Sequence, residues 1–138
     1  MKRSIHSLPS IPLNHDSGKK KVLFNYLDAD TPCRQISIAN FHAGDVCEEH
    51  THETLDEHFY WQQGSGVFCI DGQEVPFEAG DYIYVPARSA HSIRFSQDSQ
   101  CVCIGIALDW ESAAVVNPAN EIQRVASAFR ARGEIVMV

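Results

Sequence analysis

Between Val22 and Leu108 the chain consists of short apolar or alternating runs, interrupted by glycines at intervals of about 8 to 12 residues. Runs of this length match β-strands, whose side chains alternate between two faces. The runs are Val22 to Leu27, Ile36 to Phe41, Phe59 to Trp61, Val67 to Ile70, Tyr82 to Val85, Ile93 to Phe95 and Cys101 to Leu108. This spacing predicts an all-β sandwich or barrel of antiparallel strands.

One dipeptide gives the clearest turn. Asp71-Gly72 stands between the run that ends at Ile70 and the segment from Val75 to Phe77. A two-residue type I′ turn needs positive φ at both central residues, which Asp and Gly tolerate. We therefore expect a β-hairpin at this position.

The two ends of the chain differ from the predicted barrel, which spans residues 22–108. Residues 1–21 contain prolines, Gly18 and three consecutive lysines, and we expect them to form an arm or an edge extension. In residues 109–138, Asn117-Pro118 supplies a helix cap and a first-turn proline, apolar residues then recur at helical spacing, and Gly133 is a stop signal. One C-terminal α-helix with a short tail is therefore predicted.

The composition excludes several kinds of partner. The 138 residues include 11 basic and 18 acidic side chains, a net charge of −7, and no basic stripe, so nucleic acid is not expected as a partner. The sequence has neither an apolar run long enough to span a membrane nor a secretory signal, which predicts a cytoplasmic protein.

The five cysteines include no CxxC motif, so we expect Cys47, Cys101 and Cys103 to pack in the core.

The negative charge is concentrated in one segment. Between Gln35 and Ala87 there are ten carboxylates and no Lys or Arg. Lys21 is the nearest lysine before this segment, and Arg88 is the first basic residue after it. We therefore expect no cation within it to compete for an acidic metal ligand.

Three histidines and one glutamate are candidate metal ligands. His50 and His52 have one residue between them, so in a strand their side chains point to the same face about 7 Å apart. Glu57 follows a short polar connection that can turn the chain into the next strand, where it can face the same ion. His91 begins a later run, and an antiparallel barrel brings such distant positions together.

These residues resemble the first motif of the cupin superfamily. That motif has a glycine, five residues, HxH, three or four residues, a glutamate, six residues and a glycine. Gly44, His50, His52, Glu57 and Gly64 satisfy every spacing. The competing hydrolase pattern HxHxDH fails, because its Asp and His positions hold a threonine and a leucine.

The second cupin motif is matched in part. Gly80, Pro86 and His91 stand at the expected spacings, but Arg88 replaces the usual glycine and Phe95 the usual asparagine. An arginine with positive φ would be strained, so we expect this loop to follow another turn type. The resemblance implies a small jelly-roll β-barrel with one metal centre.

The ligand set implied by the resemblance is His50, His52, Glu57 and His91, around one divalent transition metal ion per subunit. Imidazole and carboxylate suit Fe, Mn, Ni, Co, Cu or Zn, with Fe, Mn and Zn favoured. Four ligands leave two octahedral positions open for a substrate or O₂. His58 is a weaker candidate, because strand alternation turns it away from Glu57.

An apolar pocket is predicted beside the metal. Four apolar side chains share strand faces with the ligands and are candidate substrate-binding residues: Phe59 and Trp61 on one strand, Ile93 and Phe95 on another. Arg88 is a further candidate, suited to an anionic substrate. This pocket predicts a small organic ligand rather than a heavily hydroxylated one.

Three functions remain open from the sequence. The favoured one is a metalloenzyme acting on a small organic molecule, with dioxygenase chemistry preferred because an isomerase or lyase needs a more polar pocket or a Tyr or Lys acid/base. Tyr82 and Tyr84 are candidates for that role. The alternatives are a non-catalytic, metal-dependent binding or sensor protein and a purely structural barrel. The resemblance also implies a homodimer, with Ile5 to Leu13 or the C-terminal helix at the interface.

Overall fold

The structure, a computed structural model, describes residues 1–13 and 17–108, which form ten β-strands and no helix. The strands are β1 Ile11–Pro12, β2 Lys19–Asn25, β3 Cys33–Phe41, β4 Val46–His50, β5 Leu55–Gln63, β6 Ser65–Ile70, β7 Gln73–Glu78, β8 Tyr82–Val85, β9 His91–Phe95 and β10 Ser99–Ala107. All-β architecture is thus confirmed for this part of the chain. The predicted helix in residues 109–138 lies outside the described residues.

The strands form two antiparallel sheets. One has the order β1-β2-β3-β10-β5-β8, and the other has the order β4-β9-β6-β7. Both contribute to a single apolar core, as expected when each sheet buries one face. In the described ranges, no helix has the length and apolar character needed to cross a membrane.

Aromatic side chains fill one end of the space between the sheets. Trp61 is completely buried, and its ring stacks on Phe77 with centroids 4.1 Å apart. Phe41 and Phe95 stack at the same centroid distance. Inward-facing side chains recur every second residue, so neighbouring inward positions on one strand are about 6 to 7 Å apart. Buried aromatic rings occupy this end, so the space for a site lies at the other end.

Two turns test the sequence-based expectations. Asp71 and Gly72 have φ values of +48° and +80° and join the paired residues Ile70 and Gln73, so the predicted type I′ hairpin is confirmed. The expectation for Arg88 was wrong, because this residue adopts φ +69° and the loop keeps the left-handed conformation. The strain is offset in part by a hydrogen bond that the Arg88 N–H donates to the His52 carbonyl at 2.7 Å.

The first residues contact their own chain. Arg3 Nη2 lies 2.5 Å from Asp28 Oδ1, and Lys21 Nζ donates to the Ile5 carbonyl at 2.8 Å. Strand β1 pairs with β2 at the edge of the larger sheet, and β2 begins at Lys19, before the predicted barrel boundary at residue 22. The homodimer and the cytoplasmic location stay predictions.

A β-bulge changes the direction of one side chain on β3. Gly105 pairs with Gln35 and Ile106 pairs with Cys33, so Arg34 has no residue opposite it on β10. A bulge interrupts the strict alternation of faces and can turn adjacent side chains toward the same side. Both Arg34 and Gln35 consequently line the space between the sheets.

The two glycines of the first motif allow a test of packing against backbone strain. Both have positive φ, +94° at Gly64 and +88° at Gly44. A Cβ at Gly64 would lie 2.0 Å from Ser99 Oγ and 2.6 Å from the Asp98 carbonyl oxygen, whereas a Cβ at Gly44 meets nothing within 4 Å. We expect Gly44→Ala to lower the free energy of unfolding by about 1 kcal/mol and Gly64→Ala by about 3 kcal/mol or more. Urea unfolding measures both, and equal losses would contradict the packing argument.

Candidate metal centre

The ligand candidates come from both sheets and meet at the end opposite the aromatic core. His50 ends β4 and pairs with His91 at the start of β9, while Glu57 lies on β5 of the other sheet. His52 lies beyond the end of β4, yet its ring centroid is 5.0 Å from that of His50. One ligand atom from each of the four residues lies within 4.8 Å of the other three. The fold therefore brings all four predicted ligands together.

Backbone carbonyls fix the orientation of two of the imidazoles. His50 Nδ1 lies 2.8 Å from the Glu48 carbonyl oxygen, and His91 Nδ1 lies 2.9 Å from that of Ser89. A carbonyl can only accept, so each Nδ1 must carry the hydrogen. Each Nε2 then keeps its lone pair for a metal ion, which is the usual outer-shell arrangement of a histidine ligand.

The carboxylate of Glu57 fits a metal ion at this point. Its Oε1 atom lies 2.9 Å from His52 Nε2 and 3.2 Å from His91 Nε2. Ligands about 2.1 Å from one ion lie about 3 to 4 Å apart, so these separations match a shared ion. Oε1 is also buried without a well-oriented hydrogen bond. An ion between the three atoms would supply the partner that this oxygen lacks.

The charges of the group depend on one another. Burial by itself raises the pKa of a carboxyl, but the adjacent imidazoles of His52 and His91 lower that of Glu57 more, so it lies well below its ordinary value. Burial lowers the pKa of His91, but Glu57 and the Ser89 carbonyl raise it more. Burial lowers the pKa of His50. Glu57 is therefore ionised at neutral pH.

A thiol holds the second oxygen of this carboxylate. Cys103 Sγ lies 3.6 Å from Glu57 Oε2. Burial and the nearby Glu57 charge raise the pKa of Cys103 well above its ordinary value, so it stays a thiol and donates to the carboxylate. Cys47 and Cys101 lie in the core, as predicted, and Cys103 packs against it.

A cavity of about 130 Å³ opens beside the four ligands. Of the predicted substrate-binding residues, Phe59 and Ile93 line it. Trp61 and Phe95 lie two residues farther along their strands, in the core beneath it. The side chain of Arg88 is 71% exposed, with Nε 3.9 Å from Glu53 Oε2, and does not line the cavity.

The cavity is more polar than the sequence predicted. Lys20, Arg34, Gln35 and Ser37 all line it. The segment from Gln35 to Ala87 contains no cation, but β2 and the first part of β3 bring two cations to the cavity from outside that segment. Strand alternation around Val22 could have found Lys20, whereas the bulge that turns Arg34 inward has no clear sequence signal.

The outer face of β5 and β8 carries a separate group of aromatic residues. His58 Nδ1 lies 2.6 Å from the Tyr82 hydroxyl, and Tyr82 and Tyr84 are 58% and 44% exposed. These side chains point away from the cavity, so neither tyrosine can act on a ligand inside it. His58 is likewise no part of the ligand group.

Comparison with known families identifies this arrangement. Residues 37–107 match the Cupin domain family, and this range contains all four ligand candidates. The chain belongs to the cupin family. The spacings of the first motif and the two facing sheets agree with that membership, and the arginine at the usual glycine of the second motif is a departure that this cupin accommodates by positive φ.

This cupin is similar to part of one curated enzyme and, in fold, to several solved structures. Quercetin 2,3-dioxygenase of Bacillus subtilis (strain 168) is 41% identical over 51 residues, which are 37% of this chain but only 15% of that protein. A predicted oxalate decarboxylase from Thermotoga maritima has a similar structure, with a TM-score of 0.71 at 23% identity over 78% of this chain and 100% of that chain. Salicylate 1,2-dioxygenase from Pseudaminobacter salicylatoxidans reaches 0.51 at 19% identity over 54% of this chain and 21% of that chain. The two structural likenesses establish the fold alone.

Metal binding should stabilise the native protein through the four ligands. A metal at about one hundred times its dissociation constant adds about 2.7 kcal/mol to the free energy of unfolding. We expect Zn(II) or Mn(II) to raise the melting temperature of the wild type and of His58→Ala, but not that of His52→Ala. Differential scanning calorimetry of the three proteins checks this. A shift that survives in His52→Ala would exclude this group as the metal site.

Protons should compete with the metal. Because Glu57 raises the pKa of His91, this imidazole holds its proton to a higher pH than a free one, and a metal must displace it. Affinity is therefore full above that raised pKa and falls as the pH drops through it, by about tenfold per pH unit for each proton displaced. Competition with a chelating indicator between about pH 5.5 and 8.5 measures this. An affinity that is constant across the range would contradict the ligand assignment.

Proposed function

We propose that this cupin is a metal-dependent dioxygenase that acts on a small organic molecule. The observation that carries the proposal is the convergence of three imidazoles and one carboxylate beside a cavity of about 130 Å³. Such a ligand set suits the transition metals of O₂ chemistry and leaves coordination positions open. The 41% identity to part of a quercetin 2,3-dioxygenase supports the same class of reaction.

The residues of this chain would prepare the site rather than carry the redox step. When bound, the metal supplies the electron-transfer and Lewis-acid chemistry on which an oxygenation depends. Glu57 contributes a fixed negative charge, and the Cys103 thiol orients it from the far side. The carbonyls of Glu48 and Ser89 hold two imidazoles with Nε2 toward the ion. Preorganised ligands of this kind keep the metal geometry constant when a substrate enters.

The apolar walls would exclude water from the reaction. Phe59, Ile93 and Leu13 line the cavity together with the ligands. Removal of water strengthens the electrostatic interactions within a site and protects reactive species from side reactions. The cavity volume is close to the volume of about 150 Å³ that admits benzene in an engineered protein cavity, so one small ring or a chain of similar size would fit.

A lyase or isomerase is the second candidate, favoured by one observation. Lys20 lines the cavity and is 7% exposed, with its Nζ atom donating to Gln35 Oε1 at 3.1 Å. A lysine in such a place can act as a general acid or base, which those reactions need and an oxygenation does not. Oxygen consumption separates the two classes.

The proposal is tested by metal content and oxygen uptake. Untagged protein purified under anaerobic conditions should contain close to one transition metal ion per chain. With a panel of diketones, phenols and thiols, at least one compound should cause O₂ uptake in the wild type. We expect Glu57→Gln to lower that rate at least about a hundredfold, since it removes the charged ligand, and His58→Ala to leave it unchanged.

Each alternative function predicts a different result in these experiments. Conversion of a substrate without O₂ uptake would replace the dioxygenase with a lyase or isomerase. Tight binding of a compound without any conversion would indicate a sensor or carrier. Protein that takes up no metal would leave only a structural barrel.

A further inference from the structure

Lys20 places an ammonium group inside the cavity. On β2 it lies opposite Ala39 of β3, and both side chains face inward, whereas the neighbouring Lys19 is exposed. Lys20 is 7% exposed. Lysine is among the residue types that are almost never fully buried unless they are paired with an opposite charge. A lysine in this position therefore needs a partner of opposite charge.

The partner that the structure gives to Lys20 is an uncharged amide. Nζ donates to Gln35 Oε1 at 3.1 Å, and within residues 1–13 and 17–108 no carboxylate forms an ion pair with it. Burial lowers the pKa of Lys20, and the negative charge of Glu57 only partly opposes this. An amide satisfies one hydrogen bond of an ammonium group but does not compensate its charge. A ligand with a negative charge would do so.

Arg34 adds a second cation to the same wall. It precedes Gln35 on β3, is 9% exposed, and lines the cavity because of the bulge opposite Gly105. Its guanidinium lies over the Tyr26 ring, 4.7 Å from the centroid, which limits its orientations. A guanidinium offers a planar pair of donors that matches the two oxygens of a carboxylate.

The charge balance of the cavity favours an anion. Among its described lining residues Glu57 is the one carboxylate, against the Lys20 ammonium and the divalent ion that the centre would hold. In a site of low dielectric such an excess of positive charge attracts an anion strongly and gains nothing from a neutral ligand. The small volume and the apolar walls restrict the rest of the ligand to a compact apolar body.

We propose that Lys20 and Arg34 form a carboxylate-binding subsite and that the ligand of this cavity is a small organic acid. This inference adds a substrate class to the proposed function. It rests on that function because it uses the same cavity. The carboxylate pairs with the two cations on the β2 and β3 wall. The body of the acid lies against Phe59 and Ile93, where it faces the metal centre.

Calorimetric titration of the metal-loaded protein with matched acids and amides tests the subsite. Benzoate and benzamide, and pyruvate and pyruvamide, have nearly the same shape within each pair but differ in charge. We expect wild type to bind at least one acid about tenfold or more tightly than its amide, and Lys20→Met to lose about tenfold or more of the affinity for that acid alone. Lys19→Met, an exposed neighbour, should bind as wild type does.

Three controls accompany the titration. The metal content of Lys20→Met should match that of wild type, which separates loss of the subsite from loss of the centre. If Lys20→Met does not fold, Arg34→Met serves instead and should show the same selective loss. Lys20→Arg keeps the charge and should retain most of the affinity.

Several outcomes would overturn the subsite. In the wild type, these are equal binding of acids and amides, no binding of any acid, or tighter binding of inorganic phosphate than of every carboxylate. In the folded Lys20→Met protein, the outcome is full affinity for the acid. Failure of the dioxygenase proposal gives a different set of results from failure of the subsite. Acid binding that depends on Lys20 without any O₂ uptake rejects the reaction and keeps the subsite, whereas O₂ uptake with neutral substrates only does the reverse.

Discussion

The structure depends on a buried carboxylate on β5 that faces two imidazoles, one at the start of β9 in the other sheet and one just beyond the end of β4. Glu57 Oε1 lies within 3.2 Å of the Nε2 atoms of His52 and His91, which is the spacing of ligands around an ion rather than of a fully satisfied polar cluster. Removal of either imidazole would leave the negative charge of the mostly buried Glu57 carboxylate less compensated. The backbone carbonyls, the Cys103 thiol and the Arg88 N–H all hold members of this group in place.

The two ends of the barrel have opposite roles because side chains on a strand recur inward every second residue. On β5 the inward order is Glu57, Phe59, Trp61, and on β9 it is His91, Ile93, Phe95. The first position of each series carries a ligand candidate, the second lines the cavity, and the third packs in the aromatic core. A close-packed aromatic core therefore lies directly below the cavity.

The net negative charge of the chain does not describe the charge inside the cavity. Ten carboxylates lie between Gln35 and Ala87, yet Glu57 is the one that lines the cavity among the described residues. The cations that face it come from β2 and from the first part of β3. A negatively charged protein therefore contains a pocket suited to an anion, because net charge describes the surface as a whole and not one enclosed volume.

The sequence by itself determined most of the strands between Val22 and Leu108, the hairpin at Asp71-Gly72 and the four ligand candidates, because each follows from a local period or a motif spacing. It could not determine that Arg88 adopts positive φ, since the hydrogen bond to His52 that accompanies this conformation joins two separate loops. Only the tertiary structure decided which residues share the cavity. Lys20 and Arg34 enter it because β2 packs beside β3 and because a bulge interrupts the alternation of β3, and neither pairing nor bulge is encoded in any short segment.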